Sequence, residues 1–241
     1  VYKDEEDSGV SFSCCKLTAI VLAGGKSSRM GEDKALIPIQ GVPLLQRVCG
    51  IAKGCADTVY IVTSWPERYQ HLVLPGCEFI REMPLLEEDT GTLLRSDAQS
   101  FCFDMENDLR ALLDFPLAAS SVQTHGPLVG FAQGLFKVET DWVLLLACDL
   151  PRLRVEVLQE WATKLDNVAD NAIAALAHHP KGWEPLCGFY RRCCLPELLD
   201  FINQGGRSFQ QWLQQYPVEV LPLPEPDMLF NCNTPADLAL S

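Results

Sequence analysis

The chain has 241 residues, 48% of them hydrophobic, which suits one α/β domain with a sizeable buried core. Its 32 acidic against 19 basic side chains give a formal net charge of −13, a balance that repels phosphate backbones and argues against nucleic acid as a partner. The 11 cysteines follow neither the CxxC spacing of zinc sites nor the framework of small secreted domains, no apolar run approaches the roughly 20 residues that span a bilayer, and the N-terminus is acidic where a signal peptide is basic, so the reading is a cytoplasmic protein with no membrane contact.

Residues 1–15 are too polar and irregular to join a core and are expected to form a disordered tail, leaving 16–241 as the domain. The first strand is "LTAIVL", Leu17 to Leu22, whose unbroken apolar run reads as an interior parallel strand. It runs into "AGGKSSRMGEDK", Ala23 to Lys34. Gly24 and Gly25 remove two side chains where the backbone turns, leaving N–H groups free to face an anion or a base edge, and Arg29 and Lys34 add two cations. The spacing is neither that of a Walker loop nor that of a dinucleotide-binding fingerprint. Taken by itself, the stretch also suits a glycine-rich turn carrying two surface cations.

A helix is expected over Leu44 to Cys55, a strand over Thr58 to Val62 and another over Cys77 to Ile80. From about 85 to 124 the alternation breaks, far exceeding a usual connection of about four to six residues, so this stretch reads as an insertion. Its Glu87, Glu88 and Asp89 read as a solvated acidic loop. "HGPLVGFAQGL" follows, with Gly126-Pro127 opening a helix over Leu128 to Glu139 whose free N–H groups face the strand ends; His125 beside that turn reads as a loop histidine. "WVLLLACDLPRL" is a buried strand, Trp142 to Ala147, that ends in Asp149. A hard carboxylate there is the kind of ligand Mg²⁺ takes together with nucleotide phosphates, or else a helix cap.

Further on, helices are expected at Val155 to Leu165, Leu195 to Asn203, Phe209 to Gln214 and Pro235 to Leu240, with strands at Ala172 to Ala177, Leu186 to Tyr190 and Val218 to Leu223. His178 and His179 are expected in a loop. In "FNCNTPADL", Thr234 before Pro235 signals a helix start, while Asn231 and Asn233 alternate with Cys232 along an extended segment that suits ligand contact. Strands alternating with helices imply a mostly parallel, Rossmann-like sheet covered on both faces, with ligands at the carboxyl ends of its strands.

Taken in order, "LAGGKSSRMGEDKAL", "HGPLVGFAQGL", "LLLACDLP", "EPLCGFYRR", "GGRSFQQWL" and "FNCNTPADL" resemble the molybdenum cofactor guanylyltransferases, the MobA family, within the nucleotidyltransferases of the nucleotide-diphospho-sugar transferase-like fold. The resemblance implies transfer of GMP from GTP to molybdopterin-bound molybdenum, with Mg²⁺ as cofactor and contacts with molybdoenzymes or cofactor-delivery proteins. It implies that Leu22, Ala23, Gly24 and Gly25 meet guanine, that Lys34 contacts phosphate, and that Asp149 holds the metal. Gly126 falls on a nucleotide-side motif. Arg29, Asn231 and Asn233 fall on motif positions near the phosphates or the pterin, with Arg207 and Pro185 as further pterin candidates. Where the family has an Asp after its third strand this chain offers Glu82, and where some members close the second strand with Asn it has Thr63. The "LAGG" turn favours guanine over the cytosine of relatives that read "LAAG". A cytidylyltransferase or sugar-nucleotide pyrophosphorylase, and a catalytically silent nucleotide-binding module, remain open as alternatives.

Overall fold

The computed structural model describes residues 16–24, 33–83 and 126–232. The expected tail, the insertion, and the helix at Pro235 to Leu240 therefore lie outside the described residues.

Seven strands make one sheet: β1 (Thr18–Leu22), β4 (Thr58–Thr63), β5 (Cys77–Arg81), β6 (Trp142–Ala147), β7 (Ala174–His179), β8 (Gly182–Arg191) and β9 (Val218–Leu221), in the order β5-β4-β1-β6-β8-β7-β9. The pairs β1–β4, β1–β6, β4–β5 and β7–β9 are parallel, and β8 runs antiparallel to both its neighbours. Two-residue strands β2 (Pro38–Ile39) and β3 (Val42–Pro43) pair separately as a small hairpin.

Helices cover both faces because the strands are apolar on both. Along β1, Ala19 and Val21 face one core while Ile20 faces the other, and along β6 Leu144 and Leu146 divide in the same way from Val143 and Leu145. The first core receives α1 (Leu44–Lys53), Tyr69 of α2 (Pro66–Tyr69), and Leu158 and Trp161 of α4 (Val155–Ala162). The second receives α3 (Pro127–Phe136), α5 (Leu195–Asn203) and α6 (Phe209–Leu213). Gly134 lets α3 lie close on the sheet: a Cβ there would stand 3.0 Å from Ile20 Cδ1 and from Val62 Cγ2.

Three expectations need correction. His178 and His179 are not in a loop but end β7, where His178 meets the Trp183 ring edge-on at 4.6 Å between centroids. The expected strand at Leu186 to Tyr190 is the inner half of a ten-residue β8, whose outer half reads as polar, carries Pro185, and pairs only after a register shift between Leu176 and His178. The expected strand at Ala172 begins at Ala174.

What positions a site is the point where the strand order reverses. β4 and β5 lie to one side of β1, and β6 lies to the other. The carboxyl ends of β1 and β6, on either side of that reversal, border a crevice.

Candidate active site

The crevice is a cavity of about 260 Å³, lined by residues from four strand ends. β1 contributes Leu22, Ala23 and Gly24; β4 contributes Val62; Glu82 follows β5; and Ala147, Cys148 and Asp149 close β6. Backbone bonds fuse these ends: the Cys148 N–H donates to the Leu22 carbonyl at 3.1 Å, the Ala23 N–H to the Val62 carbonyl at 2.9 Å, and the Glu82 N–H to the Thr63 carbonyl at 2.8 Å. Gly24 and Asp149 thus emerge from adjacent, register-locked strands.

Lys34 opens a short 3-10 turn, Lys34–Leu36, and its Nζ lies 3.4 Å from Asp149 Oδ2. Both side chains are about one-fifth exposed, 21% and 22%, so the pair keeps contact with solvent and remains open to exchange for a ligand. Asp33 caps the turn, its Oδ1 accepting from the Ala35 N–H at 3.1 Å, and the buried Tyr69 hydroxyl donates to its Oδ2 at 2.6 Å. On the far wall, Gly126 precedes α3 at φ 88°, a conformation that favours glycine, and lines the cavity with Pro127 and Gly130. Glu82 completes the rim, with its Oε2 accepting from Ser64 Oγ at 3.0 Å.

Cys148 stands next to Asp149 yet is no nucleophile. Burial, reinforced by the charges of Asp149 and Asp33, pushes its thiol up to about 12. It stays protonated at neutral pH.

The structure brings Leu22, Ala23, Gly24, Lys34, Glu82, Gly126 and Asp149 to one cavity. Thr63 is fully buried directly behind Gly24, where its Oγ1 accepts from the Trp65 N–H and would lie 3.8 Å from a Cβ added to Gly24. Asn231 is exposed on a segment tied to the site, since the Cys232 N–H donates to the Asp149 carbonyl at 3.0 Å. Arg207 lies apart: its Nη1 donates to the Ile202 and Gly206 carbonyls at the end of α5, and it does not line the cavity. Gly25, Arg29, Asn233, His125 and Glu87 to Asp89 fall outside the described residues. Sequence reasoning missed Asp33, Ser64, Tyr69 and Leu186. Only Asp33 carried a signal, as a capping residue directly before Lys34.

Among the described lining residues, Asp33, Glu82 and Asp149 stand against the single ammonium of Lys34. A triphosphate entering this field needs further positive charge. Among the described residues no group of three or more His, Cys, Asp or Glu side chains could hold a metal ion alone. The donor set therefore fits a cation shared between the Asp149 carboxylate and a nucleotide's phosphates, which is how Mg²⁺ usually binds.

A crevice at the switch point of such a sheet, where Lys34 and the strand-end Asp149 meet beside Gly24, is a place for α/β proteins to bind ligands, and the chain is a nucleotidyltransferase of the α/β type. The model of the MobA-like NTP transferase domain matches residues 19–94 and 100–220, and the chain belongs to that family. It is 62% identical over 93% of its length, and 89% of the relative's, to a probable molybdenum cofactor guanylyltransferase of Nostoc sp.. A protein so described from Synechococcus elongatus is 38% identical over 91% of the chain and 94% of its own. The fold is similar to that of molybdopterin-guanine dinucleotide biosynthesis protein A from Archaeoglobus fulgidus, with a TM-score of 0.64 at 20% identity over 92% of this chain and 95% of that one.

Proposed function

We propose that this chain transfers GMP from GTP to molybdenum-bound molybdopterin. An oxygen of the acceptor's terminal phosphate forms a bond to the α-phosphorus as the bond to the β-phosphate oxygen breaks, and pyrophosphate leaves. The observation that carries the reading is the convergence of Gly24, Lys34, Glu82 and Asp149 on one cavity, together with relatives of high identity that bear this activity in their names.

Such chemistry asks for positioning and charge neutralisation more than for covalent work. The Leu22 to Gly24 strand end lines the cavity where the guanine would lie, Gly25 is assigned to the base by its motif position, and Glu82 offers a carboxylate that can accept from the base's ring N–H and amino group or from the ribose. Lys34, with Arg29 beside it in sequence, neutralises charge developing on the departing pyrophosphate. Asp149 would hold Mg²⁺, which when bound supplies Lewis-acid neutralisation of the phosphates. The acceptor phosphate is already anionic near neutral pH, so no general base is required. Asn231 is assigned to the pterin side, on the strength of the Cys232 to Asp149 bond that ties its segment to the site, and Asn233 by its motif position alone.

We place the protein in the cytoplasm. Its described cysteines are all free thiols, and among the described residues no helix is long and apolar enough to cross a membrane.

The test is pyrophosphate release from purified chain given Mg²⁺, molybdenum-loaded molybdopterin and either GTP or CTP. GTP-dependent release that requires the acceptor supports the reading. Release with CTP only, or nucleotide binding without release, overturns it.

A further inference from the structure

Tyr69 is a polar residue where the core asks for none. It closes α2, is fully buried, and packs in the apolar cluster with Leu45 and Cys49. A phenylalanine would fill that space without burying a hydroxyl, which is costly unless hydrogen-bonded. The hydroxyl has a partner 36 residues away in the chain, Asp33 Oδ2 at 2.6 Å, short enough for a charge-assisted bond. The other oxygen of that carboxylate holds the Ala35 N–H at 3.1 Å, and Lys34 lies between the two.

The turn this carboxylate grips closes on itself through Leu36 N–H to the Asp33 carbonyl at 3.0 Å and Ile37 N–H to the Lys34 carbonyl at 3.1 Å. Ala35 is buried in the first core and the Ile37 carbonyl accepts the Leu44 N–H at 2.9 Å, which ties down the far end of the turn. The Asp33 end, which sets where the Lys34 side chain starts, is held through its carboxylate. Arg68 approaches the same Asp33 oxygen only to 3.9 Å from an exposed position, a weak tie. Burial and the neighbouring Asp33 raise the Tyr69 hydroxyl well above its ordinary range, so it remains a donor at every working pH.

We propose that Tyr69 is a positioning residue for the reaction: through Asp33 it fixes the turn from which the Lys34 ammonium reaches the triphosphate. It touches no substrate. The proposal rests on the reading of Lys34 as the phosphate contact, and the experiment separates the two.

Single-turnover rates and the KM for GTP would be measured for Y69F, K34A and the double variant, with melting temperatures alongside. Y69F keeps the ring, so the core stays filled. It should lower the rate about five- to thirty-fold with little change in melting temperature, and change the rate of the K34A chain by less than about two-fold, because coupled residues do not add. D33S, which keeps a capping oxygen but cannot reach the Tyr69 hydroxyl, should behave like Y69F and be equally silent on the K34A background. A full rate in Y69F, or the same loss with and without Lys34, overturns the role given to Tyr69. A K34A chain with normal turnover overturns the phosphate assignment of Lys34 and this inference with it.

Discussion

Lys34 and Asp149, 115 residues apart in sequence, meet across the crevice between β1 and β6 with Nζ 3.4 Å from Oδ2. The contact is long for a strong ion pair and partly exposed, so it contributes at most about 1 kcal/mol to stability. Its worth lies in placing a cation and a metal-binding carboxylate at one spot. K34A and D149N should each lose about 10²- to 10³-fold in kcat, the cost of removing a group that stabilises developing charge. Urea titrations should meanwhile find both variants within about 1 kcal/mol of the parent.

Glu82 should act on binding more than on turnover. Its carboxylate lies on the cavity rim, held by Ser64 Oγ at 3.0 Å. E82A should raise the KM for GTP about tenfold or more, since hydrogen bonds to a charged group are the stronger ones, while leaving kcat within about threefold. Steady-state kinetics at varied GTP check this.

Two glycines of the α3 wall should fail for different reasons. G134A drives a methyl to 3.0 Å from Ile20 and Val62, pushing the helix off the sheet at a cost of about 1–3 kcal/mol. At Gly126 no described atom lies within 4 Å of an added Cβ, but G126A strains a backbone at φ 88° and ψ 169°, costing about 1–3 kcal/mol. Chemical denaturation reads both, and only G134A should be partly rescued by trimming Ile20 to Val.

Alkaline pH should unfold the protein through its thiols. Burial raises Cys148 to about 12 and Cys55 to about 11, whereas an unfolded cysteine loses its proton near about 8.5. Between those values the unfolded chain has released protons that the folded chain retains, so stability falls as pH rises. Each such thiol removes up to about 1.4 kcal/mol per pH unit. Stability measured from pH 7 to 10 should be level up to about 8 and then decline, and C148A should shallow the decline.

Much of the fold was legible because the central strands are buried on both sides. The unbroken apolar runs of β1 and β6 announce interior parallel strands, and the Asp149 that ends one of them had to arrive at the same edge as Gly24. Less was legible where tertiary contacts override composition. The outer half of β8 carries Glu184 and Pro185, which disfavour strand, and it forms because it pairs with β7 and because the Trp183 backbone is held at both N–H and carbonyl by Gln210. His178 looked like a loop residue, but it ends a strand against Trp183. The Tyr69 to Asp33 bond had no local signature at all. It joins a four-residue helix to a three-residue turn across 36 positions, and only the packing of α2 against the sheet brings them together.

The central claim is that one nucleotide bridges the β1 and β6 edges of this sheet. A crystal structure with Mg²⁺ and a GTP analogue whose α,β-bridging oxygen is replaced by methylene tests it most directly. The base should lie against the Leu22 to Gly24 backbone, with the phosphates between Lys34 and the Asp149-bound metal and the native Lys34 to Asp149 contact opened. A nucleotide bound elsewhere, or phosphates remote from both side chains, would contradict the account.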